Sequence, residues 1–219
     1  MANEIVRQQN IQIVLQQAMK LFVENGVENT SMEMIARASG LTLRSVQNYF
    51  HARNDLYAAV LNRGYLLELR EMEAFFASRQ YRSKNGAERV IAVISATLNK
   101  AVEYAETVFC TAQIQHILSR ASEKSEKPQL TGNWVYMMEQ LQKAFDRGIS
   151  DGSIAQTTQE ELVDGRTIVL ALLGVREQVA YAMCDKTLRE LFDPGAAVPK
   201  YIRQMHLMLA AKPQGEDGR

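Results

Sequence analysis

Apolar side chains recur every three or four residues along most of the 219-residue chain, which is the spacing of one helix face. No stretch alternates apolar and polar side chains over the length of a strand, so no strand is expected. The longer periodic stretches predict helices over residues 4–24, 53–78, 85–106, 130–150, 158–184 and 199–211, with a further apolar segment over 108–118. Asn85 with Glu88 three positions later gives a capping signal for the helix at 85–106, residues 80–86 before it are polar, and residues 119–129 form the most loop-like stretch. The pattern therefore predicts an all-α protein.

Two shorter helices are predicted between the first two long ones, within residues 30–56. Thr30 with Glu33 three positions later fits a capping box that begins one helix. Gly40 would end that helix, because glycine tolerates the left-handed backbone that closes a helix. Thr42 can cap the second helix. Two short helices around a glycine turn are typical of a helix-turn-helix motif.

The second short helix has an apolar side and a polar side. Val46 and Phe50 are expected to face inward, and the remaining side chains are hydroxyls, amides, an arginine and a tyrosine. Such a helix is suited to the major groove of DNA, where these groups can bond base edges. The predicted base-reading residues are Arg44, Ser45, Gln47 and Asn48. The predicted contacts with the phosphate backbone are Ser31, Thr42, Tyr49, His51 and Arg53. The alternative is an ordinary solvated helix face.

The composition limits how this chain can bind DNA. Apolar residues make up 47% of the sequence, which is sufficient for a substantial core. The 25 basic and 25 acidic side chains give a formal charge of +0, which argues against coating nucleic acid by charge alone. Binding is therefore expected to depend on a specific DNA site.

The cysteines and the apolar runs indicate the compartment. Cys110 and Cys184 both lie in apolar sequence, which predicts reduced core thiols. The N-terminal stretch lacks the apolar core of a signal peptide. The longest apolar run, residues 168–175, is too short to span a bilayer. We therefore expect a soluble cytoplasmic protein with no membrane partner.

A set of short motifs lies between residues 11 and 61. They are Phe22 with Gly26-Val27, the Thr30-Ser31 cap, Ile35-Ala36, Ala38-Ser39-Gly40, and Tyr49-Phe50 followed by Arg53 and Asp55-Leu56. This combination resembles the TetR-type bacterial transcriptional regulators. Two positions depart from the family pattern. The fourth helix usually begins after a Ser or a similar capping residue, and Ala52 stands there in this chain, which weakens the cap unless Asn54 or Asp55 substitutes. Gln47 stands where the recognition helix of the family often carries an aromatic residue.

The resemblance implies a homodimer of all-helical subunits with about nine helices each. It implies a helix-turn-helix DNA-binding domain over residues 1–52, a helical ligand-binding and dimerisation domain over 53–211, and a disordered tail over 212–219. The expected partners are a palindromic double-stranded DNA operator, a small-molecule effector of unknown identity and a second copy of the chain. No cofactor and no metal are expected.

The effector pocket is predicted from residues on helices that would surround a central cavity. They are Tyr65, Met72, Phe109, Gln113, His116, Trp134, Met137, Met138 and Arg176. The alternative is that the methionines and aromatics simply form the core. Arg176 and Glu177 interrupt an apolar helix, so they are expected either to pair across a dimer or to face the cavity. That helix is expected to be buried on nearly all sides, by its own subunit and by another.

The resemblance implies a ligand-responsive regulator, and a repressor released from its operator by a small molecule is the main expectation. The alternatives are an activator, or a regulator that answers to a protein partner. A helical enzyme is the alternative from another class. The three histidines (His51, His116 and His206) are dispersed, and the sequence has no phosphate-binding loop or nucleophile elbow, so no enzymatic activity is expected.

Overall fold

The computed structural model describes residues 2–120, 130–154 and 165–209, and α-helices are its main regular elements. The helices are α1 (Ala2–Asn25), α2 (Met32–Ala38), α3 (Leu43–Tyr49), α4 (Arg53–Ala77), α5 (Arg79–Arg82), α6 (Gly86–Glu103), α7 (Ala105–Arg120), α8 (Leu130–Ser150), α9 (Gly165–Cys184), α10 (Lys186–Phe192) and α11 (Pro194–Leu209). The all-α prediction is confirmed for this part of the chain. The predicted helix start at Thr158, the tail at 212–219 and most of a predicted loop at 119–129 lie outside the described residues.

Local capping signals decide where two of the helices begin. The Asn85 side chain accepts a hydrogen bond from the backbone N–H of Glu88 at 2.8 Å, and the Glu88 carboxylate accepts one from the Asn85 N–H at 3.0 Å. This reciprocal pair is the predicted capping box of α6. The preceding stretch was expected to be a polar loop, but it contains the short helix α5, which Ser78 caps.

The described residues divide into two compact units. Unit 1 comprises the described parts of Met1–Glu68 and Glu106–Leu130, and unit 2 those of Leu69–Ala105 and Thr131–Arg219. The predicted domain boundary lies after residue 52, whereas the compact units divide within α4, after Glu68. The reason is that the first turns of α4 are buried in the unit 1 core, which is why they cluster with α1 to α3. That residues 1–52 form the DNA-binding domain and residues 53–211 the ligand-binding and dimerisation domain stays a prediction.

The core of unit 1 joins α1, α2, α3, α4 and α7. Its fully buried side chains include Val14, Phe22, Ile35, Val46, Leu56, Leu61 and Ile114. The ring of Phe22 meets that of Tyr57 edge-on, with ring centres 5.5 Å apart. Cys110 is buried there, as expected, and its thiol lies 3.4 Å from the Phe22 carbonyl. The same expectation for Cys184 is wrong, because this residue ends α9 on an exposed face.

The N-terminus of α6 is joined to the end of α8 in unit 2. A Cβ added at Gly86 would lie 2.0 Å from the backbone nitrogen of Gly148, so these two helices approach without a side chain between them. Asp151 accepts a hydrogen bond from the Gly86 N–H at 2.9 Å, and Ser153 accepts one from the Ala87 N–H at 3.0 Å. Burial raises the pKa of Asp151, but its bonds with Ser153 and Gly86 and the charge of Arg147 outweigh that effect and hold the pKa below its usual value. The turn after α8 therefore satisfies the first amides of α6.

Helix α9 is less buried within one chain than its sequence led us to expect. Its segment Thr167–Cys184 is long and apolar enough, by length and composition alone, to cross a membrane, and 22% of it is buried in this chain. The prediction that no segment could span a bilayer considered only the unbroken apolar run at residues 168–175, which is shorter than this 18-residue segment. Leu170 is 73% exposed and Tyr181 is 41% exposed. Exposed apolar side chains continue on α10 and α11, namely Leu191, Phe192, Leu207 and Met208.

Candidate nucleic-acid interface

Helix α2 begins one residue later than the capping pattern predicted. The Ser31 hydroxyl accepts a hydrogen bond from the Met34 N–H at 3.2 Å, which makes Ser31 the N-cap. Thr30 is buried, and its hydroxyl lies within hydrogen-bonding distance of the carbonyls of Gly26 (2.9 Å) and Leu21 (3.1 Å) at the end of α1. The predicted cap at Thr30 is therefore wrong, because α1 occupies that hydroxyl. Hydrogen bonds from its own backbone N–H and from the Ser31 hydroxyl lower the pKa of Glu33, against a small opposing effect of desolvation.

The turn and the cap of α3 agree with the prediction. Gly40 has a φ of 65°, the left-handed geometry that ends α2. The Thr42 hydroxyl accepts a hydrogen bond from the Ser45 N–H at 3.1 Å and lies 2.8 Å from the Ser45 hydroxyl. Val46 and Phe50 are buried in the unit 1 core, so they fix which side of α3 faces solvent.

The exposed side of α3 presents side chains that have no internal role. Arg44, Gln47 and Asn48 are exposed, and their spacing of three and four residues places them on one helix face. Within the described residues, none of these three side chains forms a hydrogen bond or an ion pair. Ser45 differs, since it is half-buried and its hydroxyl pairs with Thr42. The structure thus separates three unengaged polar side chains from one that also supports the helix cap.

Tyr49 links α3 to the N-terminal part of α1. Its hydroxyl accepts a hydrogen bond from the Asn10 side-chain amide at 3.2 Å. The Arg7 guanidinium lies 5.8 Å from the centre of the Tyr49 ring, within the range of a cation–π contact. Asn10 was not among the predicted residues, because two residues 39 positions apart carry no local signal of contact. Tyr49 was predicted to touch phosphate, and that role stays a prediction beside this internal one.

Helix α4 begins without a polar side chain at residue 52. The Ala52 N–H donates a hydrogen bond to the Asp55 carboxylate at 2.8 Å, which is one half of a capping box. Of the two substitutes considered, Asp55 therefore stabilises this turn, although it does not accept from the first amides of α4 as a Ser side chain at residue 52 would. His51, just before this turn, is exposed. Its predicted contact with DNA phosphate stays a prediction.

Arg53 is held by the backbone of the turn between α1 and α2. One terminal nitrogen of its guanidinium lies 2.7 Å from the carbonyl of Val27, 2.7 Å from that of Thr30 and 3.1 Å from that of Glu28. The guanidinium also stacks over the ring of Tyr57 at 5.4 Å. Sequence reasoning assigned this arginine only to DNA phosphate, whereas the structure gives it a role inside the fold.

Replacing Arg53 with alanine is expected to lower the free energy of unfolding by about 1–2 kcal/mol, because a charged donor is lost from three carbonyls. Urea unfolding monitored by circular dichroism measures this loss. Arg70→Ala is the matched control, since Arg70 is exposed on α4 and forms no hydrogen bond or ion pair within the described residues. Equal stability of the two variants would show that the carbonyl contacts contribute nothing.

The predicted effector residues are divided between the two units. Tyr65, Phe109, Gln113 and His116 belong to unit 1, whereas Met72, Trp134, Met137, Met138 and Arg176 belong to unit 2. Tyr65 pairs with the Gln115 side chain, and His116 is exposed. Their role as a pocket stays a prediction.

Within unit 2, two of the predicted effector residues lie together. The Arg176 guanidinium lies 5.6 Å from the Trp134 ring centre, so this charge packs on an aromatic face, while the neighbouring Glu177 is exposed. Met137 is buried in the core at 4% exposure, which agrees with the alternative of plain core for that residue.

The sequence was compared with models of known protein families and with curated proteins. Residues 14–60, which cover the second half of α1 through the first turns of α4, match the family model for bacterial regulatory proteins of the tetR family. No curated protein matches the sequence.

Solved structures match nearly the whole chain. A bacterial regulatory protein in the tetR family from Rhodococcus RHA1 has a TM-score of 0.69 at 14% identity, covering 93% of this chain and 98% of that one. The transcriptional regulator FadR from Bacillus subtilis, in complex with stearoyl-CoA, has a TM-score of 0.65 at 15% identity, covering 90% and 98%. NalD from Pseudomonas aeruginosa, described as the secondary repressor of the MexAB-OprM multidrug efflux pump, has a TM-score of 0.56 at 20% identity, covering 95% and 99%.

At these identities the structural likeness shows the fold, while the family model matches the part of the chain that forms the helix-turn-helix. Both agree with the motifs between residues 11 and 61. Residues 14–60 of this chain thus match the tetR family of bacterial regulatory proteins, and the chain as a whole has the fold of solved members of that family.

Proposed function

We propose that this protein is a homodimeric repressor that binds a palindromic operator through α3 and leaves it when a small molecule binds. The carrying observation is the exposed face of Arg44, Gln47 and Asn48, whose side chains have no partner within the described residues. An arginine can make two hydrogen bonds with one guanine, and an amide can do the same with adenine. Side chains that stabilise nothing inside the protein are available for base edges.

The contacts of the neighbouring residues suggest which of them contact the DNA backbone and which contact base edges. Ser31 and Thr42 cap helices and lie at helix N-termini, where backbone amides favour phosphate. Tyr49 and Arg53 each have internal contacts that fix α3 and the α1–α2 turn. We propose that these four position the motif on the DNA backbone, with His51, while Ser45 joins the base-reading set through its hydroxyl.

Replacing Arg44 with alanine is expected to weaken cognate operator binding by about 1–3 kcal/mol and to relax the preference at one base position, because its two bonds to a guanine are lost. Selection of bound sequences from a random library identifies the operator, and fluorescence anisotropy then gives the affinities. Arg70→Ala serves as the control for removing one positive charge elsewhere. If Arg44→Ala kept both the affinity and the base preference, Arg44 would not read DNA.

Dimerisation is supported by the exposed apolar surface of unit 2. Leu170, Gly174, Tyr181 and Cys184 follow one another at spacings that keep them on one side of α9, and Glu177 lies among them. A second copy of this face would bury the apolar side chains. A membrane is a poorer partner, because Arg176 and Glu177 stand in the middle of the helix, where charges are costly in lipid.

A dimer explains how a neutral protein selects one site. Two copies of α3 must reach half-sites about one helical turn apart, roughly 34–36 Å. An effector that favours a different spread of the two motifs would shift the population off DNA. Helix α4 contributes residues to both compact units, and we propose on this ground that it transmits the change between them. By reciprocity, operator DNA must weaken effector binding by the same factor.

The proposal includes that the protein represses transcription and that its effector is a small molecule. FadR is described with bound stearoyl-CoA and NalD as a repressor, and these facts about similar folds support a small-molecule effector and repression here. The alternatives are an activator, or release by a protein partner. Release of the purified dimer from its own upstream DNA by a small-molecule extract separates a small-molecule effector from a protein partner, and transcription from that DNA with and without the dimer separates a repressor from an activator. Action on an operator implies a cytoplasmic site of action.

A further inference from the structure

Unit 2 contains a cleft of about 400 Å³ that none of the predicted effector residues lines. It lies between the end of α4, the short helix α5, one side of α6 and the last turn of α11. Its lining is mixed: Phe75, Ile91 and Ala92 are apolar, whereas Ser78, Gln80, Tyr81, Lys84, Glu88, Ser95 and His206 carry polar groups. The volume is in the range of small-molecule sites, about 300–1,000 Å³.

The hydroxyl of Tyr81 is the most informative atom in this cleft. Tyr81 is only 6% exposed, and its ring packs against Phe75, Phe76 and Arg89. The hydroxyl has no hydrogen-bond partner among the described residues, yet no buried side-chain oxygen or nitrogen there lacks a partner. The hydroxyl is therefore not fully enclosed by the described residues, and Tyr81 is one of the residues that line the cleft.

This hydroxyl is a donor at neutral pH. Burial raises the pKa of Tyr81 to about 12, against the opposing charge of Arg89. It therefore remains protonated where the protein works and can donate one hydrogen bond to a ligand oxygen.

Two nitrogen-bearing side chains, Lys84 and His206, also line the cleft. Within the described residues, neither the Lys84 ammonium nor the His206 ring forms a hydrogen bond or an ion pair. The one carboxylate in the cleft, Glu88, already accepts a hydrogen bond from the Asn85 N–H in the α6 cap. The lining thus offers a hydroxyl donor and an ammonium with no partner among the described residues, together with aromatic and aliphatic side chains.

We propose that this cleft binds a small amphipathic carboxylate, with its flat apolar body against Phe75 and Ile91. Its carboxylate accepts hydrogen bonds from the Tyr81 hydroxyl and the Lys84 ammonium. The proposal deepens the ligand-responsive part of the proposed function and rests on it, since it names the chemical class of the effector. It differs from the central cavity expected from the sequence, because it uses none of the nine residues predicted there.

The probe for the test is 2-naphthoate, titrated calorimetrically into the full-length protein at neutral pH, with uncharged 2-naphthamide as its partner probe. We expect saturable binding of naphthoate with one site per chain and much weaker binding of the amide. Tyr81→Phe, which keeps the buried ring, and Lys84→Gln should each weaken naphthoate binding about tenfold, because each removes a bond to a charged acceptor. Neither substitution should change binding of the amide by a similar factor.

Matched controls separate the cleft from the rest of the unit. Tyr104→Phe removes a hydroxyl from an exposed tyrosine at the end of α6 that does not line the cleft, and Lys143→Gln removes an exposed charge from α8. Both should bind naphthoate like the unmodified protein. Thermal unfolding of each variant establishes that it is folded, and Lys84→Gln carries the test if Tyr81→Phe is unstable.

The outcomes are distinct. No saturable naphthoate binding, or binding that Tyr81→Phe and Lys84→Gln leave unchanged, would overturn the proposal. Operator affinity of the probe-free protein is measured in parallel. A protein that binds naphthoate in this cleft but no operator would refute the proposed DNA function and leave the site intact. A protein that binds the operator but not naphthoate would refute the proposed carboxylate site and leave the proposed DNA function intact.

Discussion

Replacing Gly86 with alanine is expected to lower the free energy of unfolding by about 3 kcal/mol. The added methyl would lie 2.0 Å from the backbone nitrogen of Gly148 and 2.6 Å from the carbonyl oxygen of Ala144. These are backbone atoms, so no side chain can rotate away, and α6 and α8 would have to separate. Separation would also stretch the bonds from Asp151 and Ser153 to the first amides of α6.

Urea unfolding of Gly86→Ala against the unmodified protein gives the size of this effect. Gly64→Ala is the matched control, because Gly64 lies inside α4 with no atom within 4 Å of an added Cβ. There the same substitution should stabilise the helix by about 0.5–1 kcal/mol, since alanine is the better helix former. If both alanines had the same effect, the close approach of α6 and α8 would not be a packing constraint.

Replacing Leu170 with glutamate is expected to weaken dimerisation by about 3 kcal/mol, roughly a hundredfold in the dissociation constant. Leu170 is 73% exposed within one chain, so the change should cost the isolated subunit little. In the proposed dimer it would place a charge in an apolar interface on each subunit. Because the operator is read by two copies of α3, tight operator binding should be lost together with the dimer.

Sedimentation equilibrium measures the dimer, and anisotropy measures operator binding of the same samples. Leu66→Glu is the control, because Leu66 is also largely exposed, at 61%, but lies on α4. It should leave the dimer intact. A Leu170→Glu protein that remains dimeric would show that this face of α9 is not the interface.

The features predicted correctly from the sequence depend on neighbours in the chain. The Asn85–Glu88 capping box, the Thr42 cap and the glycine turn at Gly40 each involve residues a few positions apart. The Ala52–Asp55 bond is equally local. For such features the residue types and their spacing determine the geometry, because the interacting groups are brought together by one helical turn.

The features that were missed depend on distant parts of the chain. Thr30 and Ser31 are both able to cap α2, and only the position of α1 decides between them, because its carbonyls take the Thr30 hydroxyl. Arg53 reaches carbonyls 23 to 26 residues away. The cleft at Tyr81 combines α4, α5, α6 and α11, so no single stretch of sequence indicates it.

The contact of Asn10 and Arg7 with Tyr49 has a consequence for transplanting specificity between regulators. Grafting α3 alone onto another member of this fold would transfer Arg44, Gln47 and Asn48, but not the amide and guanidinium that hold Tyr49 in place. The grafted helix would then carry the base-reading side chains, but its orientation in the DNA groove would no longer be fixed by the contacts of Tyr49 with α1. A chimaera that retains operator choice has to include the first turns of α1, so the transferable unit of recognition is the pair of helices.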